Sequence, residues 1–392
     1  MKKEILKSHD KAIYVEDGKL FDGTEEISLD TSNATPGTPK KEPEEDGYRI
    51  SREYYKKILS RPFENIVVLT GAGTSKSSGG KVMKELWDEA FTTANKVEDE
   101  KFFNTINFPI PTTDIQKNLE ELLSQAQKAT GVLDKTESEK ISKRIKEIET
   151  LVVKACTLPL QADSPHLKFL NKVTSRKLKY SRIKIFTLNY DTLFEQAAAE
   201  GNFVAINGFS FSSPAYFNGT FFDYDIVNRK NSRVSEEENF VTKVFHLYKP
   251  HGSVNWEKLA NGKIVAKDIR KASQSPLIIY PNSNKYESGY DQPFFEMMSR
   301  FQQSVRHPNT MLLCVGFSFG DKHFKNVIQE AIKSNSGLNL LIVMPNFSER
   351  DQVKDLVELA GKQNNVTFVN EDFQALAENY PFSAEYDNDN ED

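Results

Sequence analysis

The stretch from Asn65 to Gly80, NIVVLTGAGTSKSSGG, constrains the fold more than any other part of the chain. Ile66-Val67-Val68-Leu69 is a short, apolar, largely β-branched run between polar residues, the pattern of a strand buried on both faces. Gly71, Ala72, Gly73, Thr74 and Ser75 follow at once. Glycines there allow a sharp turn and close approach of the backbone to a ligand. A helix from Lys81 to Ala90 would set its positive end near the turn, where a phosphate or pyrophosphate fits.

The same strand–turn–helix pattern returns later in the chain. Arg182–Thr187, Phe203–Ile206, Val244–Tyr248, Met311–Val315, Asn339–Met344 and Val366–Val369 read as strands. Helices are expected over Thr192–Ala199, Phe294–Val305, Lys322–Ile332, Glu349–Ala360 and Phe373–Asn379. Repeated β–α units predict an α/β fold with a doubly wound, Rossmann-like parallel sheet. Ligands of such sheets lie beyond the carboxyl ends of the strands. The residues there are Gly71–Ser75, Leu188-Asn189-Tyr190-Asp191, Lys249 to Trp256, Gly316 to Asp321, and Pro345 to Ser348. Small and polar residues thus gather at one rim, a chemistry suited to a dinucleotide.

Two regions stand outside this alternation. Residues 1–47 are expected to form a hairpin, Ala12–Val15 with Lys19–Phe21 about an Asp17-Gly18 turn, and then a flexible arm over Asp30–Asp46. A helix over Ile50–Leu59 leads into the first core strand. The main domain is then 48–392, with a helical insertion at about 95–178. Within that insertion Glu139–Leu151 carries an Ile141, Ile145, Ile148 stripe. Its charged faces read as solvated surface or as a surface for oligomers, partners and regulation.

Composition removes several classes. With 392 residues, 38% of them hydrophobic, the chain can bury a large core, and a net charge of -5 argues against a surface that coats nucleic acid. Cys156 and Cys314 are the only cysteines and lie in apolar surroundings, so a four-cysteine zinc site within the chain is excluded. No His, Cys, Asp or Glu cluster has metal-ligand spacing, and no metal is expected. MKKEILKSHD lacks the apolar core of a secretory leader, and no run approaches the ~20 apolar residues of a membrane span, so a cytoplasmic location is expected. His246 is expected to be packed within its strand, and His9, His166, His307 and His323 to lie at the surface or at helix ends. Trp256 and the Phe209-Phe211 pair read as core, and the acidic Asp387–Asp392 end as a frayed tail.

The ordered series GAGTS, TLNYD, PHGS and GFSFG resembles the sirtuin family, over the region from about Ile66 onward apart from the insertion. Two departures accompany it. The glycine turn continues as SSGGKVMKELWDEA in place of a proline–aspartate–phenylalanine–arginine segment, and the four-cysteine zinc module is missing. With those features absent, the resemblance is to the bacterial sirtuin-like proteins of antiphage defence, which share TLNYD and KPHGSxNW and hydrolyse NAD. It implies NAD as substrate and Asn189 and His251 as catalytic residues, the first holding the ribose or a water and the second acting as general base. Gly71, Ala72, Gly73, Thr74, Ser75, Gly316 and Ser318 would bind the pyrophosphate or ribose. Asp191 would fix the loop or reach the ribose or nicotinamide side, and Asn346 would lie near the adenosine ribose. The resemblance further implies control by assembly, through a homo-oligomer or a HerA-like hexameric ATPase, with no membrane and no direct nucleic-acid partner. A catalytically silent subunit that binds NAD or ADP-ribose, and transfer of ADP-ribose to a macromolecule, remain as alternatives.

Overall fold

The computed structural model describes residues 2–28, 42–92, 96–228, 239–279 and 292–382. Its centre is a parallel sheet of β5 (Asn65–Thr70), β6 (Lys184–Thr187), β7 (Val204–Ile206), β9 (Val244–Tyr248), β13 (Thr310–Val315), β14 (Leu338–Val343) and β15 (Val366–Val369). The spatial order is β15-β14-β13-β5-β6-β9-β7, with every neighbouring pair parallel. The chain leaves β5 toward β6 on one side and later returns to β13 on the other. The strand order therefore reverses between β5 and β13, the place where ligands of open α/β sheets sit.

Period-two alternation divides the core into two layers. Ile66 and Val68 of β5, with Met311, Leu313 and Val315 of β13, face one apolar cluster. Helices α1 (Pro43–Leu59), α6 (Pro165–Val173), α7 (Leu193–Glu200) and α11 (Phe373–Asn379) pack there through Tyr55, Phe169, Phe194 and Phe373. Val67, Leu69, Leu312 and Cys314 face the other. Helices α8 (Phe294–Ser304), α9 (Lys322–Ser334) and α10 (Lys354–Ala360) cover that side through Phe301, Phe324 and Leu356. The doubly wound α/β class is thus present, with both faces of the sheet covered. Each fully buried aliphatic side chain contributes about 1.5–3 kcal/mol to this packing.

The N-terminal segment differs from its expected separateness. The hairpin of β2 (Ala12–Glu16) and β3 (Lys19–Asp22) is present, with β4 (Glu25–Glu26) beyond it. β1 (Lys3–Lys7) pairs antiparallel with both β2 and β15, so the hairpin continues the main sheet to eleven strands. Ile5, Ile13 and Leu20 thereby join the main core. Helix α1 starts at Pro43, seven residues before the expected Ile50, and so takes in part of the expected arm. Most of that arm, and the Asp387–Asp392 tail, lie outside the described residues.

The insertion holds α3 (Lys96–Thr105), which was not anticipated, α4 (Leu119–Ala129) and α5 (Lys135–Cys156), the last taking in the expected Glu139–Leu151 helix. With α2 (Met83–Ala90) they close on their own cluster of Leu86, Trp87, Phe103, Leu122, Ile145 and Ile148. That cluster also takes in Tyr190 and Val254, so the insertion rests directly on the loops of the rim. Helix α6, within the expected bounds, packs instead on the main sheet. A second, antiparallel sheet of β8 (Ala215–Tyr216), β10 (Gly252–Lys258), β11 (Ile264–Ala266) and β12 (Pro276–Ile278) was not anticipated. Its central strand, β10, holds most of the Lys249–Trp256 segment that reads as a loop in sequence. Trp256 and Phe209 are buried as expected, whereas Phe211 is 61% exposed. His166 is also a correction, because it is fully enclosed between Phe194 and Phe373.

Candidate active site

The turn after β5 and the turn after β13 meet backbone to backbone at the reversal point. Gly71 N donates to Val315 O at 3.2 Å and Gly73 N to Gly316 O at 3.0 Å. A Cβ on Gly73 would lie 2.6 Å from Gly316 Cα, and one on Gly316, at φ +60°, would lie 2.7 Å from Thr74 N. These glycines are required first by the contact between the two turns. A 3-10 helix over Ala72–Ser78 follows immediately, and α2 begins only at Met83. The helix expected over Lys81–Ala90 is thus present from Met83, with the 3-10 turn and the left-handed Gly79, at φ +84°, standing between it and the glycine turn.

The turn after β6 locks onto this one. Asn189 Nδ2 donates to Gly71 O at 3.0 Å, Thr74 Oγ1 at 3.1 Å and Ser75 Oγ at 2.8 Å. A carbonyl oxygen only accepts, so the nitrogen of this amide must face it. Asn189 thus has its NH2 group committed to the turn and only its oxygen left for a ligand. Ser75 Oγ donates in turn to Asp191 Oδ2 at 2.6 Å, while Asp191 Oδ1 accepts from Leu193 N at 3.1 Å. Thr74 and Ser75 are buried, and their hydroxyls hold the knot together. Ala72, Ser318 and Asn346 are exposed at the rim, and Gly73 and Gly316 half-buried there.

His251 follows β9, two strands away from β5. Its Nε2 lies 3.1 Å from Asp321 Oδ2, both side chains being 8% exposed. Asp321 caps α9, its Oδ1 accepting from His323 N at 2.8 Å and Phe324 N at 3.2 Å. Burial pushes the Asp321 carboxyl up, but His251 and these two N–H groups outweigh it and hold the group below its ordinary value. The imidazole–carboxylate contact therefore bridges the ends of β9 and β13 over the two strands between them.

Sequence reading missed three further groups. Asp321 stood only as the last residue of the Gly316–Asp321 rim segment, with no role given to its side chain. Lys249, only 1% exposed, is joined through Nζ to Glu195 Oε1 at 3.1 Å, to Ser253 Oγ at 2.7 Å and to Asp191 O. A lysine two residues before a candidate site histidine, directly after the buried strand Val244–Tyr248, was its one signal. Glu120, from α4 of the insertion, reaches the rim and meets Tyr190 Oη at 3.0 Å. Nothing in the local sequence of a charged amphipathic helix distinguishes it. Among the described residues no group of three or more His, Cys, Asp or Glu is arranged to hold a metal ion, and no helix is long and apolar enough to cross a membrane.

A parallel sheet covered on both faces, with polar loops gathered at its reversal point, defines a doubly wound α/β protein, a class whose ligands sit at that rim. Within that class, residues 183–368 match the SIR2-like domain family. A solved structure described for the mechanism and regulation of Sir2 enzymes is 13% identical, with a TM-score of 0.39, covering 84% of this chain and 94% of its own. A Sir2 bound to an inhibitor, 2′-O-acetyl-ADP-ribose and a deacetylated peptide is 12% identical, with a TM-score of 0.38 and coverages of 83% and 96%. A mutant Sir2 homologue in complex with ADP-ribose is 12% identical, with a TM-score of 0.36 and coverages of 79% and 95%. No curated protein matches the chain.

Proposed function

We propose that this chain hydrolyses NAD to nicotinamide and ADP-ribose. The observation that carries the reading is that the His251–Asp321 pair joins the ends of β9 and β13, while the Asn189–Ser75–Asp191 knot stands at the ends of the two strands between them, β5 and β6. In NAD the nicotinamide nitrogen is already cationic, so it leaves as a neutral base and needs no proton. The catalyst must shelter the oxocarbenium-like ribose carbon and activate one water. His251 takes a proton from that water as its oxygen bonds to the ribose carbon and the glycosidic bond breaks. Asp321 orients the ring and stabilises the imidazolium that forms, as a buried carboxylate does beside a catalytic histidine. The Asn189 oxygen accepts from the attacking water or a ribose hydroxyl. The exposed edges of Ala72, Gly73, Gly316 and Ser318 take the pyrophosphate, and Asn346 the adenosine ribose.

Such an activity, left unrestrained, would deplete a cell of NAD. We therefore assign the chain to antiphage defence, under control of self-assembly or of a HerA-like ATPase. The insertion resting on the rim loops supports assembly as the point of control.

The test is incubation of the purified chain with NAD, alone and with a co-purified assembly partner, with nicotinamide and ADP-ribose resolved by chromatography. Release is expected in wild type and a loss of at least about 10²-fold in His251→Ala. Unchanged release in both His251→Ala and Asn189→Ala would reject the mechanism. Label from NAD retained on a macromolecule would favour ADP-ribose transfer instead.

A further inference from the structure

Lys249 follows β9 directly and is enclosed, with its Nζ held among oxygens. Ser253 Oγ lies at 2.7 Å, Glu195 Oε1 at 3.1 Å and Tyr190 O at 3.5 Å, and Asp191 O is in contact as well. The direction of these bonds can be traced from a carbonyl further along. Lys267 O only accepts, so Asn255 turns its Nδ2 toward it at 3.0 Å and leaves Oδ1 facing Ser253 at 2.8 Å. Ser253 gives its proton to that oxygen and accepts from Lys249, whose ammonium has three protons to give. Ser253 and Asn255 share one face of β10 by the period of two, which is why one side chain can pass the bond to the next.

The oxygens around Lys249 belong to two different turns. Lys249-Pro250-His251-Gly252 closes through Gly252 N, which donates to Lys249 O at 3.0 Å, and the bond from Nζ to Ser253 spans the base of that turn beneath His251. Asp191 O belongs to the turn after β6, two residues from Asn189, and a backbone bond from Val254 N to Tyr190 O at 2.9 Å runs beside it. Glu195, on α7, belongs to neither turn and supplies the counter-charge. We infer that Lys249 is a positioning residue of this site: its ammonium braces the turn carrying His251 against the turn carrying Asn189 and Asp191. The inference rests on the reading of the site as an NAD hydrolase, in which those two side chains must meet at one ribose carbon. The turns assigned to the pyrophosphate are joined by their own bonds, Gly71 N to Val315 O and Gly73 N to Gly316 O. Loss of the brace therefore lowers kcat and leaves KM for NAD nearly unchanged.

The test compares the full-length double variant Lys249→Met, Glu195→Leu, which removes the brace without stranding a charge, with Glu195→Gln, which keeps an acceptor oxygen and leaves Lys249 on both turns. Hydrogen–deuterium exchange read by mass spectrometry needs no turnover. Amides of the segment 187–194 are expected to exchange faster in the double variant and as in wild type in Glu195→Gln. Steady-state nicotinamide release is the functional arm: kcat is expected to fall by up to about 10²-fold in the double variant, the cost of a small misplacement, with KM within about twofold of wild type and Glu195→Gln close to wild type in both. Should the double variant not fold, Ser253→Ala, which opens the base of the His251 turn, is expected to give the same split, with a smaller fall in kcat. Wild-type kcat without the brace, a change carried by KM alone, or an equal fall in Glu195→Gln overturns the inference, as does unchanged exchange over 187–194 in the double variant. Faster exchange there, in a protein that releases no nicotinamide under any condition, leaves the brace standing and rejects the hydrolase reading.

Discussion

Nε2 of His251 and Oδ2 of Asp321 lie 3.1 Å apart, although they leave the sheet at the ends of strands separated by two others. That oxygen of Asp321 has no other polar partner among the described residues, and its sibling is engaged by the first turn of α9. One carboxylate thus fixes a helix and faces an imidazole. Asp321→Asn keeps an oxygen for the cap and removes the charge beside the ring. Steady-state kinetics should show kcat for NAD hydrolysis falling by about 10²-fold, at the low end of what an acid–base pair contributes, with the melting temperature little changed. A kcat equal to wild type would mean that the contact is structural only.

The turn–turn contact predicts a graded set of glycine effects. Gly73→Ala and Gly316→Ala each drive a methyl into backbone, at 2.6 Å and 2.7 Å, where no side chain can move aside. Denaturant unfolding should show losses on the order of 3 kcal/mol. Gly79→Ala carries a similar positive φ but meets open space, and should cost only about 1–2 kcal/mol. Equal losses at all three positions would contradict the close approach.

Acid should destabilise the protein through its enclosed histidines. Burial lowers His166 from 6.5 to about 4, and lowers His246 similarly to about 4. Between those values the unfolded chain binds a proton that the folded one refuses, so stability falls as pH drops from 6.5 toward 4. Each histidine contributes a slope of about 1.4 kcal/mol per pH unit. His166→Phe should make thermal unfolding curves less sensitive to pH in that window. A pH dependence identical to wild type would assign the effect elsewhere.

The Lys249–Glu195 pair sits beneath the loop that Asp191 closes. Lys249→Met leaves Glu195 enclosed without its cation, and burial already pushes that carboxyl up. A loss of about 3–5 kcal/mol is expected. Adding Glu195→Leu should restore part of it, because the stranded charge is then gone. Simple additivity in the double-mutant cycle would show that the two groups do not depend on one another.

How much of this was legible depended on the range of the interactions involved. β5, β9, β13 and β15 were readable because a strand buried on both faces leaves a short, largely apolar run, broken only by His246 in β9 and Thr367 in β15, which is a local property. α5 was readable through its isoleucine stripe. β10 was not, since Gly252 to Trp256 mixes small, polar and aromatic residues and becomes a strand only by pairing with β11 and β12. The place of β1 was hidden for the same reason, because its partner β15 lies more than three hundred residues away. His166 was misplaced because nothing beside it in sequence, where Pro165 and Leu167 flank it, points to Phe194 and Phe373, which enclose it in space.

The amino-acid sequence by itself determined the parallel α/β core, the rim on which Asn189 and His251 would stand, and the presence of a helical insertion, all of them consequences of local patterning and chain direction. Only the tertiary structure decided what those residues touch. It turned the Asn189 nitrogen inward to Gly71, set Asp321 against His251, and brought Glu120 from the insertion to Tyr190. Contacts of that kind join side chains far apart along the chain, and they form only when separate elements pack closely enough to exclude water between them.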